Sequence, residues 1–146
     1  MDWIVLVAAM VVTQFLPGAP KQDWATVLGA FDLIRAQAYE QGRPELLERV
    51  YPSGSELLAD DSRMLNSYGA RGIHVDDLRM RVISASLLDR SRNRVRLDVV
   101  DQLSLTRVHL PDGSVRDLPR DQPTRRTVEL SLTDEGWRIS SVSLRQ

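Results

Sequence analysis

The chain has 146 residues, a length that fits one domain. It carries 19 basic and 20 acidic side chains, for a net charge of -1, with 42% hydrophobic and 27% charged residues. That balance excludes a charge-driven disordered chain and argues against a dedicated nucleic-acid binder, whose basic side chains cluster. The absence of cysteine excludes a disulfide scaffold, a thiolate metal site, a cysteine nucleophile and a lipidated N-terminal cysteine. Of the 19 basic residues, only Lys21 is a lysine. The arginines are scattered along the whole chain. Coding bias explains that better than a dedicated arginine site for phosphate or carboxylate.

Trp3 to Leu16 reads WIVLVAAMVVTQFL, 14 residues with no charge and only Thr13 and Gln14 polar. A bilayer-spanning helix needs about 20 residues, so the run is short for one. Its length suits the apolar core of a secretory signal, although no basic segment precedes it. A truncated membrane anchor and a buried core helix are the other readings. The run is apolar on every side, whereas a helix in a small domain shows an amphipathic stripe, so export or anchoring is preferred. Residues 17–22 (PGAPKQ) read as a linker, leaving 23–146 as the domain.

Asp23 is placed to cap a helix carrying Trp24, Val27, Leu28, Phe31, Ile34 and Ala38 at helical spacing. Gly42 sits at its C-cap, and Pro44 opens a second, short helix with Leu46, Leu47 and Val50. Tyr51-Pro52 breaks that helix. Ser53-Gly54-Ser55-Glu56 reads as a capping box with Ser53 as the cap. A third helix follows with Leu57, Leu58, Met64, Leu65 and Tyr68, ending at Gly69 or Gly72.

The period then changes to two. Leu78, Met80 and Val82 alternate with Arg79 and Arg81, and the phase slips at Val82-Ile83, which predicts a bulge in a long strand reaching Leu88. Asp89 to Asn93 makes a turn. Val95, Leu97, Val99, Leu103 and Leu105 alternate in the next strand. Leu110-Pro111-Asp112-Gly113-Ser114 tips a hairpin. Asp117 to Pro123 is a loop with two prolines. Val128, Leu130 and Leu132 form a strand, Asp134-Glu135-Gly136 a turn, and Trp137 to Leu144 a last strand whose parity change predicts another bulge.

Three helices followed by four long antiparallel strands and an extra hairpin define an α+β fold. Bulged strands curve a sheet, and a curved sheet around helices makes a half-open cone. The pattern resembles the nuclear-transport-factor-two-like superfamily, with its cystatin-like cone. The carriers are the long first helix with Trp24 and Phe31, the short second helix before Tyr51, and the ending Gly136-Trp137-Arg138-Ile139-Ser140-Ser141-Val142. The resemblance spans residues 23–145. It implies a fold shared by isomerases, dehydratases, hydrolases, secretion-system components and non-catalytic accessory domains, so it fixes no activity. With the apolar N-terminus, the chain resembles exported or membrane-anchored actinobacterial proteins of unassigned role.

Asp101 is the candidate catalytic residue. It falls on the inward phase of Val95, Leu97 and Val99, and burial there raises a carboxyl's pKa toward that of a general base. The alternatives are a bulge at Val99-Val100 that returns it to solvent, or an ion pair with an arginine. Trp24, Phe31, Tyr39 and Tyr68 are candidate cavity-lining residues, with amphipathic packing as the alternative. His74 and His109 are expected in exposed turn regions with no acidic partner at ligand spacing, so no metal site is expected. Arg90, Arg92, Arg94 and Arg96 fit a solvated outer face better than a binding ladder. Ser84, Ser86, Ser140 and Ser141 lack a nucleophile context.

No cofactor is implied. The preferred reading is a non-catalytic, extracytoplasmic binding or protein-interaction domain at a membrane, with a protein or small apolar ligand as partner. The alternative is an isomerase or dehydratase using Asp101. A homodimer is a third possibility.

Overall fold

Asp23 starts the first helix as expected. Its carboxylate accepts from the amides of Ala25 and Thr26, at 3.1 and 3.4 Å, and from the Thr26 hydroxyl at 2.7 Å. These bonds satisfy donors that helix α1 (Trp24–Gln41) leaves open at its start. Gly42 ends it in the left-handed region with φ 62°, and the Arg43 amide reaches back to the Ala38 carbonyl at 2.9 Å. The computed structural model describes residues 22–118 and 122–145. The apolar run, the linker up to residue 21 and the middle of the two-proline loop lie outside the described residues.

Pro44 opens a 3-10 helix, Pro44–Arg49, which buries Leu46 and Leu47. The next cap is Ser55, not Ser53. The Ser55 amide closes a turn on the Pro52 carbonyl at 3.2 Å, and its hydroxyl accepts from the Leu58 amide at 3.2 Å. Pro52 to Gly54 are thus used up in the turn. Glu56 becomes the first residue of α2 (Glu56–Ala70) rather than the third position of a capping box.

The strands are β1 (His74–Asp76), β2 (Met80–Arg90), β3 (Arg94–Leu103), β4 (Thr106–His109), β5 (Val115–Leu118), β6 (Thr124–Thr133) and β7 (Gly136–Leu144). Two antiparallel sheets result, ordered β2-β3-β6-β7 and β1-β4-β5. The expected bulges are present: register shifts at Ile83 in β2 and at Ser140 in β7. A further shift lies at Leu88, and β2 runs into the expected turn as far as Arg90. Leu105 falls outside β3, which ends at Leu103. Such extra residues bend a strand and increase its twist.

The sheet's inner face carries Val95, Leu97, Val99, Val128, Leu130 and Trp137, packed against Trp24 and Leu28 of α1. A second cluster joins Ala38, Tyr39, Leu46, Leu47, Val50, Tyr51 and Leu65, with Phe31 and Ile139 touching both. Leu47, Leu97 and Leu130 are fully buried, and each contributes about 1.5–3 kcal/mol by leaving water. The Ile139 amide donates to the Val50 carbonyl at 2.8 Å, pinning the short helix to the edge of β7. The helices are held in a curved antiparallel sheet, the half-open cone that the bulged strands predict.

The outer face is polar. Arg125 grips both oxygens of Asp98, at 2.9 and 2.6 Å, and Arg145 joins them at 3.3 Å. Arg96 pairs with Asp89 at 2.7 Å and Arg94 with Glu129. The series Arg90 to Arg96 does not form one ladder, because residues 91–93 turn between β2 and β3.

Candidate functional site

β3 stays regular through Val99 and Val100, because the extra residue sits on its neighbour β2. Asp101 faces Val82 on one side and Thr124 on the other. It keeps the inward phase of Val95, Leu97 and Val99 and is 9% exposed. It is not alone there. Arg126 of β6 lies on the same face, two residues before buried Val128, and its Nε donates to Asp101 Oδ1 at 3.0 Å.

Two further inward acids escaped the sequence reading, because both sit inside helical patterns. Asp32 of α1 accepts from the Met80 amide, at 3.1 Å to each oxygen, and from Arg79 Nε at 3.3 Å. Burial pushes its carboxyl above the ordinary value, against those two donors. It ties the middle of α1 to the start of β2.

Asp61 of α2 is the hub of the second cluster. Oδ1 accepts from Arg35 Nη2 at 3.0 Å and from the Tyr39 hydroxyl at 2.5 Å. Oδ2 accepts from Arg35 Nε at 2.7 Å and from the Tyr51 hydroxyl at 2.8 Å. Burial alone would raise its carboxyl; the Arg35 fork and the two hydroxyls hold it below the usual carboxylate range. Burial and the Asp61 charge push both tyrosines up. Four donors fill the four lone-pair positions of the carboxylate, leaving none for a substrate. Among the described residues, no buried side-chain nitrogen or oxygen lacks a partner.

The predicted lining residues do not surround one cavity with Asp101. Trp24 and Phe31 pack into the core against the sheet. Tyr39 and Tyr68 meet edge-on, with ring centroids 6.0 Å apart. They border a groove of about 190 Å³, with Glu40, Leu65, Ile73 and His74. A second hollow, about 220 Å³, lies over Arg81 and Gln102 to Leu105. Neither reaches Asp101.

His74 and His109 do have an acidic partner, which corrects the sequence reading. They face each other across β1 and β4, and Asp76 lies two residues from His74 on the same face. His74 Nε2 meets Asp76 Oδ1 at 2.8 Å, and His109 Nε2 meets Oδ2 at 2.7 Å. The spacing His74-x-Asp76 was the available signal; the cross-strand His109 was not visible before the pairing was known. Among the described residues, no three such side chains are arranged to hold a metal ion. Ser140 also has a structural place, bonded to the Ser131 hydroxyl at 2.8 Å and the Glu129 carbonyl at 3.2 Å.

No protein-family model and no curated protein matches the sequence. Solved structures do. The intermembrane space region of the chloroplast protein ARC6 is similar, with TM-score 0.56 and 15% identity over 86% of this chain and 98% of that one. Aln2 from a Streptomyces species is similar, with TM-score 0.54 and 11% identity over 87% and 93%. The Kfla4162 protein from Kribbella flavida gives TM-score 0.50 and 19% identity over 79% and 84%. At these identities the likeness establishes the fold and nothing about chemistry.

Proposed function

We propose that this chain is a non-catalytic binding or protein-interaction domain that works outside the cytoplasm, held at a membrane by residues 3–16. The observation that supports it most is the pairing of the inward acids with arginines. Asp32, Asp61 and Asp101 each meet a guanidinium, and Asp61 has no acceptor position left. A general base needs a free lone pair within reach of a substrate proton, in a space that admits the substrate. The cone interior is filled by Trp24, Leu28 and the sheet's aliphatic side chains instead. The ARC6 region, by its description, is part of a chloroplast protein in a space bounded by membranes, and it lends the same fold to such a setting.

The localisation is tested by expressing the full chain and separating membranes from soluble fractions, with protease added to intact cells. Membrane association with the domain digested from outside supports the reading. A wholly soluble, protected protein overturns it. The isomerase or dehydratase alternative keeps one point in its favour, the inward aim of Asp101. Against it, Arg126 holds one oxygen of that carboxylate.

A further inference from the structure

We propose that β2 is a self-complementary edge through which two copies of this chain pair, antiparallel and about a two-fold axis, to join their sheets. β2 ends the order β2-β3-β6-β7, and all its residues are exposed except Met80, Val82 and Ala85. The Arg79 carbonyl turns toward β3, where it accepts from the Ser104 amide at 2.8 Å. The Met80 amide, across the same peptide, therefore turns away, and Asp32 takes it. This direction alternates along a strand. Each bulge sets two residues against one partner, which leaves the alternation counted on β3 intact. Val82, Ala85 and Leu87 thus also aim their amides and carbonyls away from β3. Among the described residues, no other backbone group meets them. At the far end of the sheet, β7 is partly closed by the bond from Ile139 to Val50.

Counted on β3, the paired positions from Arg81 to Asp89 face consecutive residues, Gln102 back to Arg96, because Ile83 and Leu88 are the extra residues of the two bulges. Ala85, opposite Val99, is the middle one. A two-fold axis there sets Ala85 against itself, Ser84 against Ser86, Val82 against Leu87, and Arg81 against Asp89 of the second copy. Each pair is matched in side. Val82, Ala85 and Leu87 share the inward phase of Asp101, Val99 and Leu97, and the other four share the outward phase. Each pair is also matched in kind: apolar with apolar, hydroxyl with hydroxyl, and cation with anion twice. Moving the axis one position, to Ser84 or Ser86, sets Arg81 against Ser86 or Asp89 against Ser84, and no charge meets its opposite.

The charges are available for this. Arg81 is exposed and holds no carboxylate among the described residues. Asp89 gives Oδ2 to Arg96 at 2.7 Å, and its side chain stays 57% exposed, leaving Oδ1 for a second guanidinium. The two Ala85 residues form a hydrogen-bonded pair, because both aim outward, and Ser84 with Ser86 forms the closer, non-bonded kind. Ile83, Leu87 and Leu88, exposed apolar side chains of the same strand, lose water in the joint. Charges on an edge strand ordinarily discourage pairing. In β2 they stand where a second copy supplies the opposite sign. The pairing uses no residue before Met80, so it is independent of how the chain is localised.

The chain has no cysteine, so engineered thiols report the register without background. Full-length Ser84→Cys and Ser86→Cys chains, carrying different tags, are expressed together, oxidised and separated on a non-reducing gel. Opposite residues stand about 4.5–5.5 Å apart and diagonal ones about 7–8 Å. Disulfide dimers carrying both tags should therefore exceed those carrying one by about threefold or more, where random collision gives parity. Ser141→Cys, on the outward face of β7, measures the collision background. Arg81→Asp added to both chains sets like charges against each other twice and should cut the two-tag dimer about five- to tenfold. Two-tag dimers at parity, or no more abundant than the Ser141→Cys background, overturn the proposal. A yield that Arg81→Asp leaves unchanged overturns it equally, as does capture of either thiol by a different protein instead of a second copy.

Discussion

Arg35 of α1 and Asp61 of α2 are joined by two parallel bonds, at 2.7 and 3.0 Å, and this fork is the main polar link between the two helices. Asp61 is 7% exposed and Arg35 25%, so the pair is shielded on one side and reached by water on the other. Removing one partner of such a pair leaves the other charge without compensation. Asp61→Ala should lower the free energy of unfolding by about 3 kcal/mol, the lower end for a buried pair because Arg35 touches solvent. Urea titration reads it. A loss below about 1 kcal/mol would mean that the fork behaves as a surface bridge.

Asp61 and Asp32 should act in opposite directions with pH. Asp61 is held below the ordinary value of 3.8, so the folded chain binds its proton less readily than the unfolded chain. The stability it brings is complete above that value and is lost as pH falls through its lower folded one. Asp32 is raised above 3.8 by burial, so its folded form binds the proton more readily. Its contribution falls as pH rises from 3.8 through the higher folded value. Asp32→Asn keeps an acceptor for the Met80 amide and removes the buried charge. Melting temperatures across the acid range should show the variant without that decline, and at neutral pH no less stable than the parent.

Asp101 and Arg126 give a direct measure of whether the inward carboxylate is committed. A double-mutant cycle with Asp101→Asn and Arg126→Gln should return a coupling of about 1–3 kcal/mol, as for hydrogen bonds between charged groups. Coupling near zero would release Asp101 for chemistry and revive the enzymatic alternative.

Gly72 joins α2 to the hairpin tip. Its φ of 68° disfavours any side chain, and a Cβ there would stand 3.2 Å from Pro111 Cγ. Gly72→Ala should cost about 1–2 kcal/mol, with the backbone term and the contact both counting. Thermal melts read the cost. A variant as stable as the parent would mean that the tip shifts freely away.

The fold was legible where local chemistry and tertiary packing agree. Asp23, Gly42 and Pro44 marked their helix ends correctly because caps and proline act through adjacent backbone. The slips at Val82-Ile83 and before Val142 revealed bulges because a period of two cannot change phase otherwise. Ser53 with Glu56 matches the capping-box spacing, whereas Ser55 has Leu58 at that position and becomes the cap only because the turn on Pro52 uses up residues 52–54. The site was less legible. Asp101 was found by parity, but its partner lies on β6 and depends on sheet order. Asp61 reads as an ordinary helical acid until Tyr39, Tyr51 and Arg35, from other parts of the chain, close around it.

β5 stands at the end of the order β1-β4-β5 with all four of its residues exposed, so among the described residues its outer side has no neighbouring strand. Suppose two copies joined there about a two-fold axis. Residues directly opposite in an antiparallel pair point to the same side, which forces their numbers to sum to an even value. The two registers that use most of the strand then set Arg116 against Arg116 or Asp117 against Asp117. Like charges in that position repel. The strand is thereby guarded against its own kind, while a dissimilar chain is under no such constraint.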